Sequence, residues 1–252
     1  MSVWVTGATS GLGKGLVLAL AKQGHHVIAS ARSREALKAL AAGSKNISWL
    51  DCDISDEHQI DSLTKRLADI TSNLDLIILN AGSCEYLDFP DPDWVAASRL
   101  METNYLGSLN SLRAALPLVR VNSDTRAHIV AIASQVTSAP FPKAEAYGAS
   151  KAALQYFFES LRIDLAAENI DVTVVRPGFV DTPLTRKNDF DMPFLMSVDE
   201  AAQRILKNIK SRPRTYSFPR RLSVLLALSK ILPSVWQKML TPDSGKKSQR
   251  PL

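Results

Sequence analysis

The chain has 252 residues, 46% of them hydrophobic and 22% charged. That length is near the most that one hydrophobic core supports, and the composition excludes disordered, collagen-like and coiled-coil proteins. The formal net charge of +5 is unevenly placed: residues 1–209 carry 20 Lys/Arg against 24 Asp/Glu, and residues 210–252 carry 10 against 1.

Strand-like and helix-like segments alternate along the chain. Residues 3–6 read as a short apolar strand, and residues 12–22 are apolar at helical spacing. A strand over 26–31 precedes a helix over 33–42, with Ser33 at its N-cap. A strand over 47–50 leads to a helix over 56–71, and an unbroken apolar strand over 74–79 ends at Asn80-Ala81-Gly82. The spacing then predicts a helix over 93–120, a strand over 128–133, a helix over 144–169 and a strand over 171–176. A capping box of Ser197 and Glu200 opens a helix over 197–211, and 215–218 reads as a last strand. Continuous apolar strands between helices predict a doubly wound parallel sheet covered on both faces, a Rossmann-like α/β class in one domain. Residues 182–196 break the periodicity and read as a partly apolar lid. The sequence divides into a body, 1–218, and a C-terminal helical extension, 219–252, whose end at 242–252 is expected to be disordered.

The turn Thr6-Gly7-Ala8-Thr9-Ser10-Gly11-Leu12-Gly13 lies between the first strand and the first helix. Its glycines permit a tight turn and close approach of a diphosphate to bare backbone, at a helix end that offers free N–H groups. In this position the triplet predicts dinucleotide binding. The second strand ends Ala29-Ser30-Ala31-Arg32-Ser33-Arg34. An acidic residue there would hold the ribose 2′-hydroxyl of NAD. Arg32 instead can fork onto a 2′-phosphate, with Ser33 or Ser30 adding a hydroxyl, so NADP(H) is the expected cofactor. Lys14 is placed on the exposed side of the first helix.

With these motifs in order, the chain resembles the short-chain dehydrogenase/reductases in their single-domain form, over about residues 2–218. Thr6–Gly13 matches the family's cofactor motif, including Gly7, Thr9, Ser10, Gly11, Leu12 and Gly13. Asp53-Ile54 matches the pair whose acid meets the adenine amine, and Asn80, Ala81 and Gly82 match the motif ending the fourth strand. Asn104 stands at the family's asparagine, Ser134 at its serine, and Tyr147 and Lys151 form the Tyr-x-x-x-Lys pair. Residues 176–182 match the loop that holds the nicotinamide, through Pro177, Gly178, Val180 and Thr182. Leu79 replaces a usual Asn, which removes a polar contact and predicts a differently shaped turn. Ala133 replaces a common Ser beside Ser134.

Tyr147 and Lys151 are spaced i, i+4, so both lie on one helix face. A free tyrosine has a pKa near 10. A lysine ammonium beside it, with the charged nicotinamide when the cofactor is oxidised, favours the phenolate, so a lowered phenol pKa is expected. Ser134 can bond a substrate carbonyl oxygen. The resemblance implies that Asn104 holds a water linking Lys151 to solvent, and that Tyr147 delivers the proton as hydride reaches the carbonyl carbon.

His25 and His26 are not at metal-ligand spacing with a cysteine, so no metal is expected. Cys52 and Cys84 cannot form a disulfide framework, are read as structural, and point to a reducing compartment. Tyr156, Phe157 and Phe158 are read as core or helix-interface residues. The loop Cys84-Glu85-Tyr86, following Asn80-Ala81-Gly82, is read as the pocket's rim, and Phe141, Phe179, Leu184, Phe190, Phe194 and Leu195 are candidates for an apolar substrate wall. The N-terminus lacks the pattern of a secretory leader, and no stretch of about 18 apolar residues predicts a spanning helix. Residues 220–240 are leucine-rich, with basic residues at both ends. They either lie in a membrane interface or pack over the pocket or a second subunit. Nucleic acid is not an expected partner. The expectation is thus a cytoplasmic, NADPH-dependent carbonyl reductase or alcohol dehydrogenase, peripheral to a membrane if the tail is interfacial. Its substrate is apolar or lipid-like, and the resemblance implies a homodimer or homotetramer. The alternative reading is a dinucleotide-binding sensor or scaffold without turnover.

Overall fold

The computed structural model describes residues 1–119, 126–188 and 190–241. Seven parallel strands form one sheet in the order β3-β2-β1-β4-β5-β6-β7. They span Ser2–Thr6 (β1), His26–Ala31 (β2), Ile47–Asp51 (β3), Leu76–Leu79 (β4), Ala127–Ile132 (β5), Ile170–Pro177 (β6) and Thr215–Phe218 (β7). Helices α1 (Gly11–Lys22), α2 (Arg34–Ala42) and α7 (Val198–Ile209) cover one face. Helices α3 (Ile60–Ile70), α5 (Gly107–Ala115) and α6 (Glu145–Asp164) cover the other. α4 (Trp94–Met101) precedes α5.

The alternation within β1 shows how the sequence builds two cores at once. Val3 and Val5 join the layer of Leu16, Val17, Leu20, Ile205 and Ile209, while Trp4 points the other way, among Leu63, Leu67, Ile77 and Phe158. Every second residue serves one face, so a strand buried on both sides must be apolar throughout. After β3 the chain returns to the middle of the sheet, and β4 pairs with β1 on its free side: Val3 opposite Leu76, Val5 opposite Ile78. At this reversal the loops after β1 and β4 part, opening a crevice at the carboxyl ends of the strands.

The helix predicted over 93–120 is interrupted. Glu102–Leu106 form a π-helical segment between α4 and α5, and a 3₁₀ turn, Leu116–Leu118, follows α5. The helix predicted over 144–169 is α6 followed by a 3₁₀ turn, Leu165–Glu168. Residues 182–196 leave and rejoin the body at one point, where Asp181 N–H donates to Met196 O and Met196 N–H donates to Phe179 O. The extension forms α8 (Arg220–Ile231) and α9 (Pro233–Leu240). Leu222, Leu226 and Trp236 pack there with Ala139, Phe141 and Phe179. The disorder expected for 242–252 lies outside the described residues.

Candidate active site

The loops after β1, β2, β4, β5 and β6 enclose a cleft of about 770 Å³. Its lining includes every residue predicted for cofactor binding, together with Ser134. Asn104, by contrast, is fully buried behind it.

At the diphosphate end, Gly7 has φ +66°, a left-handed conformation that suits glycine. A Cβ on Gly13 would collide with the Gly7 carbonyl oxygen, so turn and helix pack backbone on backbone. Ser10, at the N-cap of α1, makes no side-chain cap bond, which leaves the helix-end N–H groups for an anion. The neighbouring turn keeps its polar anchor despite Leu79. Asn80 N–H and Ala81 N–H donate to Thr6 Oγ1 at 3.0 and 3.1 Å, and Asn80 Nδ2 donates to Thr6 O at 3.0 Å. Leu79 itself is core.

At the adenosine end, Arg32 is exposed on the lining and has no carboxylate partner among the described residues. Arg34 is taken: it pairs with Asp51 at 3.1 Å and lies over the Trp49 ring. The expected hydroxyl of Ser30 is not available. It accepts from Trp4 Nε1 at 2.9 Å and is fully buried. Ser33 Oγ caps α2 by accepting from Ala36 N–H. Asp53 lines the cleft, with Oδ1 accepting from Ser55 N–H and Oγ. Lys14 is exposed and lies off the cleft.

Ser134 follows β5, and Tyr147 and Lys151 lie one turn apart on α6. Lys151 Nζ donates to Ile132 O at 2.9 Å, and burial pushes its ammonium down to about 8. Tyr147 is half-buried at the cleft wall. Desolvation by the surrounding protein pushes its phenol up, Cys84 adds to this, and the Ser134 hydroxyl opposes it. Burial is thus the largest influence on the phenol and raises it, where the Tyr/Lys spacing led to the expectation of a lowered pKa. At neutral pH the group is a protonated phenol.

Asn104 sits in the π-helical segment. Its Oδ1 accepts from Ser83 N–H at 2.8 Å, and its Nδ2 donates to Ser83 O and Ser150 Oγ, both at 2.9 Å. It thereby braces the loop after β4 against α6. A Cβ on Gly82 would come within 2.9 Å of Asn104 Oδ1 and 3.2 Å of Lys151 Nζ, so the backbone there lies against both groups.

Three of the predicted wall aromatics, Phe141, Phe179 and Phe190, are not on the cleft lining itself but pack with Tyr86 and Trp236. Tyr86 donates to Asn188 Oδ1 at 2.8 Å and meets Phe190 edge-on, and Phe190 meets Phe179 edge-on. Trp236 stands edge-on to Phe141 and donates from Nε1 to Pro140 O at 2.8 Å. Cys84 is partly buried, and burial raises its thiol to about 11. Leu184 lines the main cleft. Phe194 and Leu195, expected in the substrate wall, line a second cleft with α7 and α8 instead. Of the three aromatics on α6, Phe158 is core, Phe157 contacts Tyr105, and Tyr156 is exposed. His26 Nε2 is hydrogen-bonded with Ser48 Oγ, and no group of three or more metal-ligating side chains occurs among the described residues.

The family model described as short chain dehydrogenase matches residues 1–192. The chain belongs to the short-chain dehydrogenases. This short-chain dehydrogenase is 35% identical over 234 residues to an uncharacterized oxidoreductase of Myxococcus xanthus, covering 91% of this chain and 92% of that one. It is 32% identical over 245 residues to the 11-beta-hydroxysteroid dehydrogenase-like 3 of Arabidopsis thaliana, covering 92% and 78%. Among solved structures, a short chain dehydrogenase from Burkholderia cenocepacia in complex with NADP superposes with a TM-score of 0.81 at 28% identity, covering 96% and 98%. The chain is accordingly an oxidoreductase of CH–OH or C=O groups.

Proposed function

We propose that this short-chain dehydrogenase uses NADP(H) to interconvert a carbonyl and a secondary alcohol on an apolar substrate, working chiefly as a reductase. The observation that carries the reading is the cleft itself. It joins an uncapped helix end and the unpaired Arg32 at one end to Ser134, Tyr147 and Lys151 at the other. The residues fit the cofactor: the glycine turn admits a diphosphate, and Arg32 offers a guanidinium where a 2′-phosphate would lie. NADPH bound there would supply the hydride.

The chain's own groups handle the oxygen. Ser134 Oγ donates to the substrate carbonyl oxygen and Tyr147 passes it the phenol proton, so the product is the alcohol. The phenolate left behind is stabilised by the ammonium of Lys151 and regains its proton from solvent. Asn104 holds the loop and α6 at fixed separation. Val180 and Leu184 on the cleft lining, with Phe179 between the lining residues Gly178 and Val180, favour an apolar substrate. A steroid name on one relative agrees with that class. A second copy would pack against the exposed Leu106, Tyr156 and Ile163.

Cofactor titration tests the central point. NADPH should bind at least about tenfold more tightly than NADH, since one charged bidentate contact contributes about 1.5–3 kcal/mol. Arg32→Asp should erase or invert that preference. Equal affinities in the wild type would overturn the assignment of NADP(H). A panel of ketones, aldehydes and fatty-acyl carbonyls, followed by NADPH oxidation, then identifies the substrate class.

A further inference from the structure

Helix α8 is apolar on two opposite sides. Leu222 and Leu226 face the body and are buried. Val224, Leu228 and Ile231 form the opposite stripe at i, i+4, i+7 and are 62%, 52% and 73% exposed. An apolar stripe on a helix ordinarily marks a covered face, and here there are two. Leu232, Val235 and Met239 follow on the connection and on α9, also exposed.

Beside the start of this stripe is a second cleft of about 700 Å³. It is lined by Arg204, Lys207, Arg220 and Arg221, with the exposed Phe194 and Leu195 at its edge. Its carboxylate, Glu200, pairs with Arg204 at 2.8 Å. Lys207, Arg220 and Arg221 have no carboxylate partner among the described residues. Two arginines in the first turn of α8 also oppose the helix dipole, with no acidic residue there to offset them. Residues 219–241 contain no Asp or Glu, while Lys230 on α8 and Lys238 on α9 add positive charge. Local rules broken in this way point to a partner outside the chain.

We propose that α8, α9 and the basic cleft dock the protein on an anionic lipid surface. The Val224–Leu228–Ile231 stripe enters the acyl boundary, and Lys207, Arg220 and Arg221, the cations of the cleft without a carboxylate partner among the described residues, meet headgroup phosphates. Among the described residues no helix is long and apolar enough to cross a membrane, so this contact lies in the interfacial plane. A second copy is a poorer occupant, because a twofold contact through this face brings like-charged clusters into one interface.

Vesicle sedimentation of the full chain tests the proposal. It should pellet with phosphatidylcholine vesicles containing about 30% phosphatidylglycerol and stay in the supernatant with phosphatidylcholine alone. Each basic residue near the surface is worth about fivefold, so Arg220→Gln with Arg221→Gln should weaken binding about 25-fold. Val224→Ser with Ile231→Ser should weaken it at least about tenfold. Both pairs alter exposed side chains, and an unchanged thermal midpoint checks that each variant folds. Failure to pellet with the anionic vesicles overturns the proposal, as does equal pelleting with both vesicle types or wild-type binding by the arginine variant. A concentration-dependent dimer abolished by Val224→Ser with Ile231→Ser, without vesicle binding, overturns it in favour of a second copy.

Discussion

Burial acts in opposite directions on the two titrating groups of the cleft. It raises the phenol of Tyr147 and lowers the ammonium of Lys151 to about 8, so the charged form of each is disfavoured. A proton donor for carbonyl reduction must hold its proton until the transition state, which a phenol does at neutral pH, and the ammonium of Lys151 is the charge that can favour the phenolate once the proton leaves. Tyr147→Phe keeps the ring and removes the proton. Turnover on a substrate found by screening should fall about 10²–10⁴-fold, with the NADPH dissociation constant within about threefold of wild type. Steady-state kinetics and a binding titration separate the two, and retained turnover would overturn the proton-donor role. These residues were legible in the sequence because a spacing of four on a helix fixes a shared face without knowledge of packing. Asn104 was legible as a residue but not as a brace, since its three side-chain bonds go to Ser83 and Ser150. Ser30 misled for a related reason: a strand residue alternates faces, and its hydroxyl went to Trp4 rather than to the cleft. The Cys84-Glu85-Tyr86 loop was legible as the pocket's rim from its place after Asn80-Ala81-Gly82, and Glu85 does line the cleft, but the partner of Tyr86 was not legible because the loop after β4 follows no period.

At the scale of elements, apolar rhythm locates helices but tolerates local changes in winding. The stretch read as one helix over 93–120 contains a π-helical segment, and that segment carries Asn104. One extra residue in a turn leaves the apolar spacing nearly intact while re-aiming the side chains within it, which is why such segments gather at functional sites. Gly82 lies against the result. Adding a methyl at Gly82→Ala forces it to within 2.9 Å of Asn104 Oδ1. The expected cost is about 1–3 kcal/mol of stability, as for overpacking elsewhere. A larger loss should appear in kcat than in NADPH affinity, since the diphosphate turn is anchored separately through Thr6 and Asn80. Thermal unfolding with single-turnover kinetics measures both, and unchanged kcat would show that the Asn104 brace does not tune the site. The extension defied a single reading for a physical reason. Leu222, Leu226 and Trp236 seat it on the body, while Val224, Leu228 and Ile231 remain outside. Leucine on both sides of a helix has the same composition whichever side is covered.

Across the whole molecule, placing one lysine inside a cleft couples catalysis to folding stability. Lys151 has a pKa of 10.5 when free and about 8 in the folded chain, so the native state binds this proton less tightly. The difference amounts to a stability penalty of about 3 kcal/mol. That penalty is fully present below pH 8, fades as pH rises from 8 toward 10.5, and is gone above, where both states carry a neutral amine. Lys151→Met removes the titrating group. It also removes the bond to Ile132 O, but a neutral amine donates that bond as well as an ammonium does, so this loss is nearly independent of pH. In cofactor-free protein the variant's stability relative to wild type should therefore be highest near pH 7 and decline by about 2–3 kcal/mol by pH 10. Other groups titrate over the same range in both proteins and cancel in the comparison. Urea unfolding of the pair at the two pH values measures the decline, and a constant difference would show that Lys151 keeps its ordinary pKa inside the fold.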